Sequence, residues 1–138
     1  MAAPQIGRLQ RILETCLAYV TEREQFGRPI GSFQAVAHRL ADIKVQLELA
    51  RLMLYKVGWL KTKGRLALLE SAILKLFTSE AVLAGAESAV RVHGARGYVT
   101  DLPIERELRD AMGGVLYGGT SDIQRNVIAR LIGLPEAS

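Results

Sequence analysis

A chain of 138 residues is one ordinary domain, long enough to bury a hydrophobic core without disulfides or metals. Hydrophobic residues make up 49% of it, yet charges interrupt every apolar stretch short of the roughly 20 residues that span a bilayer, which excludes a membrane helix. The net charge of +4 is spread, with Arg and Lys alternating with Glu and Asp, which speaks against nucleic acid, and a single cysteine excludes an internal disulfide and any cysteine-cluster metal site.

The N-terminus, MAAPQIGRLQ, lacks the basic start, apolar centre and cleavage site of a secretory signal, so a cytoplasmic protein is expected. Ile6, Leu9, Leu13, Cys16 and Val20 recur at steps of three and four and predict a first helix over about residues 5–24, with Cys16 as buried filler. Gly27, Pro29 and Gly31 then form a turn, after which Ser32 is placed to cap the next helix.

Val36, Leu40, Ile43, Leu47, Ala50 and Leu54 repeat at four and three, and His38, Arg39, Lys44, Glu48 and Arg51 fall between them as a polar face. This predicts a long helix over about 33–62. Gly64 ends it, and a third series through Leu68, Ala72, Leu76, Ser79, Leu83, Ala86 and Val90 predicts a helix over about 66–93. HGARGYVTDLP reads as a loop, with a short helix over about 103–112 after it.

Gly113, Gly114, Gly118 and Gly119 surround VLY and allow close approach of a ligand or another backbone. Ser121 and Gln124 have capping-box spacing, and the last helix they open is stopped by Gly133 and Pro135. No segment alternates with period two long enough to read as a strand. The expected fold is all-α, an antiparallel four-helix-type bundle of three long and two short helices forming one domain over 1–138.

Taken alone, the residues offer little catalysis. His38 lies on a charged helix face, and His93 ends a helix where a cation suits the dipole. The acids sit beside Arg or Lys, as surface ion pairs do. No Walker loop is present, and HGARGYV follows a helix, not a strand, so it is no dinucleotide fingerprint.

Three segments nevertheless set charged or amide side chains in Gly- or Pro-shaped turns: REQFGRPIGSFQ at 23–34, RVHGARGYVTDLPIERELRDA at 91–111, and YGGTSDIQRNVIAR at 117–130. Their order and spacing, over essentially the whole chain, resemble the C-terminal domain of acyl-CoA dehydrogenases. The resemblance implies a four-helix bundle packed against a second subunit, with FAD across the interface. Arg23, Gln25, Phe26 and Gln34 then fall where the family's R-x-x-F-G turn and following helix meet the neighbouring subunit's FAD. A guanidinium suits a pyrophosphate there.

Arg91, Gly94 and Ala95 match the family's Q-x-x-G-G segment, with Arg for Gln and Ala for the second Gly. Thr120 and Asp122 match its G-T-S-x-I-Q-R segment, with an acid where an amide or Glu is common. Gly118 stands where many family members carry the glutamate that removes the substrate α-proton, and glycine accepts no proton, so no catalytic residue is expected in this chain. Glu14 lies too close to the turn to substitute.

The implied activity of the complete protein is oxidation of an acyl thioester to its α,β-enoyl form. The family's N-terminal helical and middle β domains have no counterpart in the sequence. The resemblance therefore implies a homo-oligomer, or a hetero-oligomer with a chain carrying those domains, and the alternative is a non-catalytic helical interaction module.

Overall fold

The structure, a computed structural model, describes residues 2–135. Six helices dominate it: α1 Ala2–Glu22, α2 Gln34–Thr62, α3 Leu68–His93, α4 Ala95–Tyr98, α5 Ile104–Leu116 and α6 Ser121–Leu131. α1 begins earlier than periodicity suggests because Pro4 is tolerated in the first turn, where its missing N–H has no helical partner to lose. All five residues of the predicted α1 stripe, Ile6, Leu9, Leu13, Cys16 and Val20, are buried.

α2 matches its predicted span to within a residue. Leu40, Ile43, Leu47 and Ala50 are buried, and Val36 and Leu54 pack half-buried at the ends of that face. Gly64 closes α2 as expected, with Arg65 N–H donating back to the Leu60 carbonyl at 3.0 Å, the bond pattern of a Schellman ending.

α3 is the centre of the bundle, packed against α1, α2, α5 and α6. For that reason its buried band is wider than the single face the sequence series selects. Leu74, Thr78, Ala81, Val82, Gly85 and Ala89 are buried in addition to Ala72, Ser79 and Ala86, whereas Leu68 is exposed. Small residues let neighbours come close: a Cβ on Gly85 would meet Leu9 Cδ1 at 2.6 Å.

α1 and α3 run parallel, since Leu9 meets Gly85 at one level and Tyr19 stacks on His93 at another. α2 returns between them. α5 lies antiparallel to α1, with Glu107 beside Arg11 and Tyr117 beside Gln5. The main core is shared by α1, α2, α3 and α5, and a smaller cluster of Val57, Leu60, Ala67 and Leu74 fills the α2–α3 turn.

Several local expectations are corrected. A two-residue antiparallel ladder, β1 Glu24–Gln25 with β2 Arg28–Pro29, occupies the turn after α1, followed by one 3-10 turn at Ile30–Ser32. Ser32 does not cap α2: its hydroxyl donates to the Pro29 carbonyl at 2.7 Å, and Phe33 is the cap position. Thr120, not Ser121, caps α6, its oxygen accepting from Ile123 N–H at 3.3 Å, while Ser121 is buried in the first turn.

α5 continues through Gly113 and Gly114 to Leu116, because Gly114 makes room for the Gln5 amide, which a Cβ there would meet at 2.8 Å. Among the described residues no helix is long and apolar enough to cross a membrane.

Candidate functional site

The first predicted cluster is a hairpin. Gln25 pairs with Arg28 across a two-residue loop, Phe26-Gly27, whose φ angles of 54° and 76° are both positive, as the tightest hairpin turn matching strand twist requires. Glycine takes this conformation freely, but a bulky aromatic does so only under strain. Phe26 is the one non-glycine residue with positive φ among those described, and its side chain is 91% exposed. Strain is thus spent on projecting an apolar ring into solvent.

Arg23 N–H donates to Tyr19 O at 2.9 Å, and the Arg23 carbonyl accepts from Ile30 N–H at 2.8 Å, which fixes the base of the hairpin. Arg28 lies over the Phe33 ring, 4.1 Å from its centroid, and Phe26 meets Phe33 edge-on at 6.0 Å. Arg23, Gln25 and Gln34 are all exposed on this turn and the start of α2.

The second cluster lies at the same end of the bundle. Arg91 is exposed in the last turn of α3 and chelated by Glu87, with its Nε 3.2 Å from Oε1. Gly94 breaks α3 with φ 60°, and Ala95 opens α4, both exposed. A Cβ at Gly97 would meet His93 Cβ at 2.9 Å, so the single turn of α4 folds directly back over the end of α3.

His93 is not the exposed cation expected there. It is 4% exposed, its ring stacks on Tyr19 at 4.2 Å, Nδ1–H donates to Ala89 O at 2.8 Å, and Nε2 is buried without a partner. Burial, above all, holds its pKa below the usual histidine value, so the ring is neutral and structural.

The third cluster sits elsewhere. Gly118 and Gly119 have φ 66° and 86°, the Gly118 carbonyl accepts from Gln124 Nε2 at 3.2 Å, and a Cβ on Gly119 would meet that same Nε2 at 2.6 Å. Thr120 and Asp122 start α6 at this turn. Asp122 is exposed, and its charge is offset by Arg125, whose Nη1 lies 3.0 Å from Oδ1. Arg125 also reaches Glu80 in the middle of α3 at 3.7 Å.

Glu80 and His93 are separated along α3 by about 20 Å at ~1.5 Å per residue. The structure therefore brings Arg23, Gln25, Phe26, Gln34, Arg91, Gly94 and Ala95 to one end, and holds Thr120 and Asp122 well away from them.

Next to the Gly118 turn, a groove of about 570 Å³ is lined by Pro4, Gln5, Gly7, Arg8, Arg11 and Tyr117. Gln5 Nε2 donates to the Tyr117 hydroxyl at 3.2 Å, tying the start of α1 to the turn. Glu107, buried on α5, faces Arg8 Nε and Arg11 Nη2, each at 3.0 Å. Sequence reasoning missed Gln5 and Glu107. Glu107 falls in step with Ile104, Ala111 and Gly114 on the buried face of α5, and that spacing was the available signal.

No carboxylate stands at position 118, and Glu14 is exposed and accepts from Gln10 Nε2 at 2.7 Å. Among the described residues no group of His, Cys, Asp or Glu could hold a metal.

Residues 1–133 match the family model for the acyl-CoA dehydrogenase C-terminal domain. A probable acyl-CoA dehydrogenase of Bacillus subtilis is 45% identical over 94% of the chain and 34% of its own length. An L-prolyl-[peptidyl-carrier protein] dehydrogenase of Pseudomonas fluorescens is 43% identical over 91% of the chain and 33% of its own. The solved FAD complex of PigA superimposes with a TM-score of 0.93 at 38% identity, over 96% of this chain and 35% of that one. The chain spans about a third of the length of these relatives. With its helical order, its three turn motifs and this match in hand, the chain belongs to the acyl-CoA dehydrogenase family and corresponds to its C-terminal domain.

Proposed function

We propose that the chain is the FAD-contacting, subunit-joining domain of a flavoprotein that oxidises acyl thioesters to α,β-enoyl thioesters, the remaining domains being supplied by further sequence or by another chain. The observation that carries this reading is the separation of the two flavin-facing clusters. The hairpin end and the Thr120 turn lie on the order of 20 Å apart along α3. Arg23, Gln25, Phe26, Gln34, Arg91 and Asp122 are all exposed, which suits two half-sites that a second subunit completes.

The residues present suit FAD. Arg23 supplies a guanidinium group for a pyrophosphate, Arg91 a second one when released from Glu87, and the exposed Phe26 ring supplies an apolar plane on the same hairpin as Arg23. The Gly118–Gly119 backbone carries no side chain at the start of α6, where N–H groups favour an anion, and Arg125 neutralises the Asp122 carboxylate that would oppose one. FAD supplies hydride acceptance. This chain's share is binding and orientation, since Gly118 offers no base.

The relatives' names, an acyl-CoA dehydrogenase and an L-prolyl-[peptidyl-carrier protein] dehydrogenase, support an acyl group on a thiol carrier as substrate. The reading is tested by titrating FAD into the protein, alone and with a chain supplying the missing two-thirds, and following flavin fluorescence. Binding weakened about tenfold or more by Arg23→Ala is expected. Failure to retain flavin in either setting favours the second reading, a non-catalytic helical interaction module, which the glycine at 118 supports.

A further inference from the structure

The groove beside the Gly118 turn holds a polar pair that the helix next to it is shaped to accommodate. Gln5 on α1 is 7% exposed, its Nε2 donates to the Tyr117 hydroxyl at 3.2 Å, and its Oε1 is buried without a partner. Two successive glycines of α5 give the pair its room. A Cβ at Gly113 would stand 3.0 Å from Tyr117 Cε1, and one at Gly114 would stand 2.8 Å from Gln5 Nε2. Glycine inside a helix and a buried acceptor without a donor are both unfavourable, so the fold gives up stability to keep this amide against this phenol.

A structural tie alone would be served as well by two apolar side chains of the same shape. What the polar pair adds is a directed hydroxyl. Because the Tyr117 oxygen accepts from Gln5, its own proton is left over, and among the described residues nothing accepts it. A hydroxyl that already accepts a hydrogen bond is polarised into a stronger donor. Tyr117 is 47% exposed and lines the groove. The charges of the same wall are already met, since Arg8 bridges Glu107 and Asp110 and Arg11 reaches Glu107. Two guanidinium groups against two carboxylates leave no charge over, so the wall suits a polar group that is itself uncharged.

We infer that Tyr117 is a specificity-determining residue and Gln5 its positioning residue: the Tyr117 O–H donates to an oxygen or neutral nitrogen of the acyl group, and the site thereby favours thioesters of polar, uncharged acyl groups over those of plain alkyl chains. The inference rests on the flavin reading, which sets the Gly118 turn against the cofactor and so brings the acyl group to the adjoining groove.

Affinities measured on the flavin-loaded protein, assembled with a chain supplying the missing two-thirds, test it. The ligands are the hexanoyl thioester of pantetheine and its two ether analogues, in which oxygen replaces the first or the second methylene beyond the β-carbon. Binding is followed by the flavin absorbance, and the affinity of the better ether divided by that of hexanoyl gives one ratio for each variant. Tyr117→Phe, which keeps the ring and removes the hydroxyl, should lower the ratio about fivefold, the factor that one hydrogen bond commands. Gln5→Leu, similar in size and unable to hold the hydroxyl, should lower it in the same direction with Tyr117 still present. Loss of a structural tie alone would weaken all three ligands together and leave the ratio where it was. An unchanged ratio in Tyr117→Phe, or binding of none of the three ligands by the flavin-loaded protein, would overturn the role of the pair while the flavin reading stands. An unchanged ratio in Gln5→Leu would overturn Gln5 as the positioning residue. Failure of the unsubstituted protein to retain flavin would overturn the flavin reading and this inference with it.

Discussion

The Tyr19 ring stacks on the ring of His93, centroids 4.2 Å apart and planes 25° from parallel, and joins the end of α1 to the end of α3 directly beneath the Arg23 hairpin. With Nδ1–H committed to Ala89 and Nε2 buried without an acceptor, a second proton on the ring has no partner. The folded state therefore prefers neutral His93 more strongly than the unfolded state does. As pH falls through about 6.5 the unfolded histidine takes up a proton and the folded one lags, so stability is full above that pH and declines below it until the folded ring also protonates. Denaturant midpoints between pH 8 and 5 should show this decline. His93→Phe, which keeps a ring against Tyr19, should flatten it, and an unchanged slope would remove His93 as its source.

Leu47, 2% exposed, sits where α2 faces the main core. Truncation to Ala should cost roughly 2–5 kcal/mol of unfolding free energy, read from urea titration, because the cavity adds to the lost transfer energy. A loss under about 1 kcal/mol would mean that the site collapses freely or that α2 is not packed as described.

Glu107 bridges Arg8 and Arg11 from a buried position. Glu107→Gln should destabilise by about 1–3 kcal/mol, since it removes the charge that two guanidinium groups face. Arg11→Ala should cost less than about 1 kcal/mol, because Arg11 is largely exposed and its half of the interaction is screened by water. The reverse ranking would show that the clasp is held by Arg11 instead.

Two glycines should answer in opposite directions. Gly119→Val combines φ 86° with a Cβ 2.6 Å from Gln124 Nε2, and should weaken flavin binding by dislodging the amide that holds the Gly118 carbonyl. Gly58→Ala, inside α2 with no atom within 4 Å of the new methyl, should stabilise by roughly 0.5–1 kcal/mol through helix propensity. Unfolding midpoints and flavin fluorescence measured on both variants check the pair.

Supplied with FAD, an acyl-CoA and an artificial electron acceptor, the chain by itself should show no turnover. Turnover abolished by Glu14→Gln would show that an exposed carboxylate on α1 is the base after all.

The outer helices were legible because each has one buried stripe, and steps of three and four in α1 and α2 record it directly. α3 was harder to read. Surrounded by four helices, it buries residues around most of its circumference, and Thr78, Ser79 and Gly85 carry no hydrophobic signal of their own. His93 and Glu107 were misjudged for a related reason: polarity alone says nothing about burial when a neighbouring helix, α1 in both cases, supplies the cover. The candidate site was visible as turn motifs in order. That the first two share one end and the third lies well away from them needed the three-dimensional path of the chain, as did the strain at Phe26.

Because the two turn clusters proposed to meet flavin are anchored to the same helix, one through His93 and Tyr19 and the other through Glu80 and Arg125, the stretch of α3 between those anchors acts as a spacer of fixed length and phase. One inserted residue there would advance everything beyond it by about 1.5 Å and turn it by roughly 100°. The Arg91 side chain would turn about the helix by the same angle, and His93 would leave Tyr19. Substitution is thus open to α3 at its few exposed positions, but a change in its length is not, and insertions in chains of this design belong in the turns at 63–67 or 99–103, which lie outside the measured interval.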